Sequence, residues 1–166
     1  MARLTVIGDR MSRPNQAGFT YLAALFLIVV MGVVLAAIGK MWSTAQQREK
    51  ERELLFAGNQ FRQAIGLYYQ RSPGGQKTFP LKLEDLLLDP RQAGTQRYLR
   101  KIYRDPMTGQ AEWAVFMKDD RINGVYSMSQ ETPLKSSNFR LADKKFEGAE
   151  KYGDWKFVYT PPTGLP

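Results

Sequence analysis

The residue types that carry most enzymatic and metal chemistry are missing from this chain. Its 166 residues include no His and no Cys. That removes the commonest general base, the thiolate nucleophile and the usual zinc ligands, and it excludes a disulfide framework. No Gly-x-Ser-x-Gly and no Ser-x-x-Lys occurs. Pro73-Gly74-Gly75-Gln76-Lys77-Thr78 has some of the composition of a phosphate loop. It lacks the Gly-Lys-Ser/Thr ending and the spaced first glycine that would cradle phosphates, and it reads as a turn after a helix. Carboxylates remain, but no pair of them stands out. The chain is therefore read as not an enzyme, with no cofactor, no catalytic residue and no metal. One junction in the sequence stands out, Gly18-Phe19. There a polar leader with Arg3, Arg10 and Arg13 meets an apolar run.

The elements around that junction follow from hydropathy. Residues 19–38 contain no Asp, Glu, Lys or Arg. As a helix rising about 1.5 Å per residue, such a run crosses a bilayer core of about 30 Å. A secretory signal puts its apolar segment before the cleavage point and loses it; here the apolar segment follows the junction. An uncleaved signal anchor is the plainer alternative. The leader arginines favour a cytoplasmic leader and an exported C-terminal part, although Lys40, Arg48, Lys50 and Arg52 on the other flank weaken that asymmetry.

The helix is expected to continue beyond the membrane. Residues 39–71 contain no proline and are dominated by good helix formers. Residues 46–53 are polar all round, with Glu49 and Arg52 at helical spacing. Leu54, Phe61, Ile65 and Tyr68 then recur at steps of seven, four and three, which makes one apolar stripe. The expectation is a single helix of about 50 residues, about 80 Å long, with a membrane half at 19–39 and an amphipathic half at 40–71. A break at Gly39 or Gly58 is the alternative, since glycine weakens a helix by about 1 kcal/mol relative to alanine. Gly32 and Ala36, four apart, would allow another helix to approach closely, though such a pair arises often by chance.

Arg71-Ser72-Pro73-Gly74-Gly75 stops the helix. Leu83, Leu86 and Leu87 are spaced for one short helix ended by Asp89-Pro90. The run from Arg104 to Gly109 contains Asp105-Pro106 and a closing glycine, a strong turn signal. Three strands are expected: 111–117 alternating around Trp113, Val115 and Met117, then 125–128, then 155–159. The first two are joined by a loop or hairpin running from Asp119-Asp120 to Asn123-Gly124. The sheet would leave one face bare unless the helix stripe covered it. The fold class is thus α+β: a long N-terminal helix packed on a small antiparallel sheet.

Net charge is +8. The leader holds three Arg and one Asp, so 21 basic and 15 acidic residues, net +6, remain beyond it. The charges are scattered, with no Lys/Arg run of five or more. Only Arg97, Arg100, Lys101 and Arg104, near Tyr98 and Tyr103, gather at all, and they fit the solvated edge of a sheet as well as a nucleic-acid contact.

The junction Gly18-Phe19-Thr20-Tyr21-Leu22 resembles the prepilin leader of type IV pilins and type II secretion pseudopilins. Phe79-Pro80, the leucine-rich segment 83–87, Tyr98 to Tyr103, and Asp105-Pro106-Met107-Thr108-Gly109, followed by a Trp-bearing strand, together look most like the major pseudopilin. The resemblance covers most of residues 11–128. It implies a pilin-like fold and cleavage between Gly18 and Phe19 by a prepilin peptidase, with methylation of the new N-terminal Phe19. The parts would then be a leader at 1–18, a transmembrane half-helix at 19–39, an amphipathic half-helix at 40–71 and a periplasmic globular domain at 72–166. The location would be the bacterial inner membrane, single-pass. It implies a structural subunit of a type II secretion or pilus-like assembly. The partners would be other pseudopilins or pilins and, indirectly, the secretion platform and ATPase; nucleic acid is not among those expected. A membrane-anchored monomeric binding module, or a minor pilin of DNA uptake, is the alternative.

Two departures from the family pattern matter. The family carries an Asp-rich calcium loop late in the domain. Here residues 127–135 hold a single acidic residue, Glu131, whereas calcium wants several clustered oxygens. No dependence on calcium is expected. The family also has a buried Glu four residues after the mature phenylalanine, thought to pair with a neighbour's N-terminal ammonium. Here that position is Ala23, which implies a minor or tip role.

Overall fold

The structure is a computed structural model; it describes residues 17–92 and 94–162. The leader arginines lie outside the described residues, as does the end of the C-terminal segment. One helix, α1, runs from Ala17 to Gln70, so neither Gly39 nor Gly58 breaks it. It is long and apolar enough near its N-terminus to cross a membrane. The chain divides into two compact units between Ser43 and Thr44, and α1 contributes to both.

In the first unit every described side chain from Phe19 to Ser43 is exposed. In the second, α1 supplies the spine of the core. Leu54, Ala57, Phe61, Ala64, Ile65 and Tyr68 are buried, at steps of three or four except for the adjacent Ala64-Ile65, which keeps one stripe turned inward. The stripe packs with Trp113, Ile122, Val125, Phe146, Trp155 and Phe157 in one hydrophobic cluster. The rings of Phe61 and Trp113 are 5.1 Å apart and tilted; those of Phe146 and Phe157 are 5.0 Å apart and edge to face, a geometry aromatic quadrupoles favour.

The sheet has three antiparallel strands in the order β1 (Ala114–Lys118), β2 (Arg121–Tyr126) and β3 (Phe157–Val158). Its hairpin is tighter than the sequence suggests. Asp119 and Asp120 alone make the turn, both at positive φ (52° and 57°), which is what a two-residue type I′ connection requires. Asn123-Gly124 is not in the turn but inside β2, where the register slips between Phe116 and Met117. That bulge bends the ribbon. Gly124 is needed there for space: a Cβ would sit 2.8 Å from the Phe157 carbonyl oxygen across the strand pair.

The expected alternation of β1 holds only at Trp113, just before the strand, which is buried; Val115 and Met117 are 36% and 49% exposed. The core is filled from the far side by Phe146, Tyr152 and Trp155, so β1 is left as an edge. Residues 83–86 form a single 3-10 turn, Leu83–Leu86, with the Asp85 carboxylate accepting from the Leu81 and Lys82 amides. The Asp105 turn closes on itself through Gly109 N–H to Asp105 O (2.7 Å) with Gly109 at φ 74°. Its carboxylate accepts from the Ser127 hydroxyl at 2.6 Å.

Candidate processing and assembly site

Gly18 and Phe19 both lie in the first turn of α1. Phe19 is 79% exposed, and the apolar side chains that follow it, through Trp42, are exposed on every side of the helix. A helix that is apolar all round belongs in lipid or among other apolar helices. Ala23 lies one turn after Phe19 on this exposed surface. The first ionisable side chains of the helix after Tyr21 are Lys40 and Arg48, and its first carboxylate is Glu49. No acid in the apolar half of the same chain can therefore meet an ammonium at residue 19.

Among the described residues of the second unit, three buried polar constellations tie α1 to the rest of the domain. Each is consumed by the fold. The first centres on Glu51, only 4% exposed. Its Oε1 accepts from the Leu134 and Lys135 amides (2.7 and 3.0 Å) and from the Tyr152 hydroxyl (3.0 Å). Gln47, one turn earlier, donates to the Tyr152 oxygen at 3.0 Å and to the Thr132 carbonyl. Burial, together with the charge of Glu51, pushes the Tyr152 hydroxyl up to about 12. The segment 127–135 is thus tied to α1 by a protein carboxylate. Glu131 is exposed, and its backbone carbonyl accepts from Tyr152. Among the described residues no group of three or more Asp or Glu side chains is placed to hold a metal ion.

The second constellation is Asp89 with Arg91. The guanidinium donates to both carboxylate oxygens at 2.8 and 2.9 Å, lies 3.5 Å over the Tyr68 ring and reaches the Tyr68 carbonyl. The hydrogen bonds from Arg91 hold the Asp89 carboxyl below its ordinary range in spite of burial. This pair clamps the C-terminal end of α1 to the segment after the Leu83–Leu86 turn. The third is Arg62 with Asp143, 2.8 Å apart with side chains 13% and 3% exposed. The Arg62 guanidinium also stands 5.4 Å from the Phe157 ring centre.

None of these three was legible as a site in the sequence. For Glu51 a signal existed. Gln47, Glu51 and Leu54 are spaced four and three apart and share the inward face, so residues 46–53 are not solvated all round. For Asp143 the partner lies on a different element; Asp89 and Arg91 are two residues apart, but nothing in that spacing announces that the pair packs on Tyr68. Arg97, Arg100, Lys101 and Arg104 are all exposed and, among the described residues, form no ion pair; Lys101 rests 5.6 Å from the Tyr103 ring.

Set against models of known families, curated proteins and solved structures, the chain finds no match in any of the three comparisons.

Proposed function

We propose that this chain is a structural subunit of a pseudopilus or pilus-like assembly, made as a precursor, cut between Gly18 and Phe19 and held in the inner membrane by residues 19–39 until it joins its neighbours. The observation that carries the reading is the two-sided use of one unbroken helix. Its first half is apolar on every face and exposed, and its second half is the spine of a small α+β domain. Assembly on this reading is an exchange of lipid for the apolar helices of other subunits. Van der Waals packing replaces like with like, so little free energy opposes the transfer. The leader is removed by a prepilin peptidase, and a platform and ATPase supply the work.

Ala23 supports a minor or tip position for the subunit. A carboxylate at membrane depth costs about 2.5–3.5 kcal/mol on insertion scales and is offset only by pairing with a neighbour's ammonium. Ala23 removes both the penalty and the attraction, so one driver of self-polymerisation is missing.

Intact-mass measurement of the membrane-extracted protein tests the reading. A chain beginning at Phe19 is expected, with Gly18→Ala accumulating the precursor; the full 166-residue mass would return the protein to the class of signal-anchored binding modules. Expressed alone with an assembly machine, the chain is expected to give no long fibres, and Ala23→Glu to gain incorporation.

A further inference from the structure

Beside α1 in the second unit lies a groove of about 600 Å³, between the helix face carrying Arg52, Phe56 and Gln63 and the segment 135–143. That volume falls in the range of about 300–1,000 Å³ usual for ligand sites. From Arg52 to Gln63 the groove runs about 16 Å along the helix, the length of about five residues of extended chain. We propose that it receives an extended, acidic segment of a partner protein.

Three observations carry this. The first is charge. Lys135 and Arg140 line the groove with no ion pair among the described residues, and Arg52 pairs only with Glu49 in a contact where both side chains are largely exposed. Of the acidic groups near the groove, Asp143 is neutralised by Arg62 and bonded to Asn59, while Glu51 is buried, bonded to the Leu134 and Lys135 amides and not part of the lining. The free charge facing the groove is therefore positive. The second is the lining. Gln60, Gln63 and Asn138 make no side-chain hydrogen bond among the described residues, although the groove holds all three. Free carboxamides offer a donor and an acceptor each, which matches the alternating N–H and C=O of a peptide backbone. The third is the apolar floor. Phe56 is 57% exposed, its ring edge-on to Tyr103 at 5.9 Å, and Phe139 lines the same groove. An apolar side chain on alternate positions of the bound segment would cover them.

The chain's own net charge of +8 disfavours a second copy as the occupant. Single-stranded nucleic acid binds on rows of stacked aromatics with cations tracking the backbone; here the lining holds two phenylalanines and four carboxamides. This inference does not depend on the assembly reading, since a groove of this kind serves an anchored monomer equally well.

The full chain in nanodiscs of neutral lipid is titrated into three labelled probes, followed by fluorescence anisotropy against empty nanodiscs. The probes are a ten-residue alternating Glu-Leu peptide, its Lys-Leu counterpart and a ten-nucleotide single-stranded DNA. The Glu-Leu peptide is expected to bind and the Lys-Leu peptide not. Arg140→Glu is expected to weaken binding about tenfold, while Lys50→Glu, an equal charge change on an exposed residue outside the groove, changes it less than about twofold. Gln63→Trp fills the groove without altering charge and is expected to weaken binding about tenfold as well. Any of four results overturns the proposal: no peptide binding, equal losses for Arg140→Glu and Lys50→Glu, DNA bound as tightly as the Glu-Leu peptide, or sedimentation showing self-association that Gln63→Trp abolishes.

Discussion

The two halves of α1 obey different rules although one backbone runs through both. From Phe19 to Ser43 no described side chain is buried, and the residues are apolar without regard to face. From Thr44 to Gln70 burial follows the helical period, and the buried set includes a carboxylate, Glu51. Periodicity appears only where a helix has one folded partner on one side. Where the surroundings are apolar on all sides, no face is special, and composition alone carries the information. Polar groups sort in the same way: the apolar half cannot satisfy a charge, whereas the second half buries one because backbone amides and a tyrosine hydroxyl are brought to it.

Substitutions paired across the two halves sharpen this contrast. The largest expected effect is Phe61→Ala, which empties a fully buried ring site and is expected to lower the unfolding free energy of the globular unit by about 3–5 kcal/mol. Phe26→Ala, at a ring 71% exposed in the apolar half, is expected to leave that value unchanged. Denaturant titration of the full chain in detergent, read by tryptophan fluorescence, checks both. Equal losses would abolish the distinction.

Next comes Glu51→Ala. It leaves the Leu134 and Lys135 amides without their acceptor and is expected to cost about 1–3 kcal/mol, with faster hydrogen exchange at those two amides. A chelator is expected to leave the wild-type midpoint where it was, because a carboxylate of the chain already performs the tethering. A large chelator-induced drop would reveal a metal among the ties of segment 127–135.

A smaller effect separates two glycines of the same helix. A Cβ on Gly58 would overlap the Phe157 ring, while one on Gly32 meets nothing within 4 Å. Gly58→Ala is expected to destabilise the globular unit by about 1–2 kcal/mol, overpacking outweighing the gain of about 1 kcal/mol in helix propensity. Gly32→Ala is expected to leave that unit's melting temperature in place.

The smallest effect is on pH dependence. Because the Tyr152 hydroxyl is raised from 10.0 to about 12 in the fold, the folded state keeps a proton that the unfolded chain has lost. The associated stability is complete below about pH 10 and disappears as pH rises through about 12. Tyr152→Phe is expected to flatten this alkaline slope in melting curves taken from about pH 9 to 12; an unchanged slope would detach Tyr152 from Glu51.

Much of the fold was readable before any coordinates. The uncharged run after Phe19, the absence of proline from residues 39–71 and the stripe from Leu54 to Tyr68 are local properties, and one helix follows from them. The Pro73-Gly74-Gly75 stop and the Asp105-Pro106 turn are equally local, since φ restrictions act on the residues that carry them. The hairpin was misjudged because Asn-Gly is the stronger turn signal by composition. The bulge at Phe116 and Met117 and the close approach of Phe157 instead used Gly124 inside a strand and left the turn to two aspartates.

By itself the sequence determined which segment is apolar, where the helix runs, the position of Gly18 before Phe19 and the lack of a carboxylate at Ala23. Those depend on residue type and order along one chain. Only the tertiary structure decided that Glu51 holds segment 127–135, that Arg62 and Arg91 are matched to Asp143 and Asp89, and that Lys135 and Arg140 line one groove with Gln60, Gln63 and Asn138. Apart from the neighbouring Asp89 and Arg91, each of those joins residues about 80 positions apart in the chain. In every case burial selects the partner, and neither the burial of a polar group nor the identity of its partner is written in local spacing.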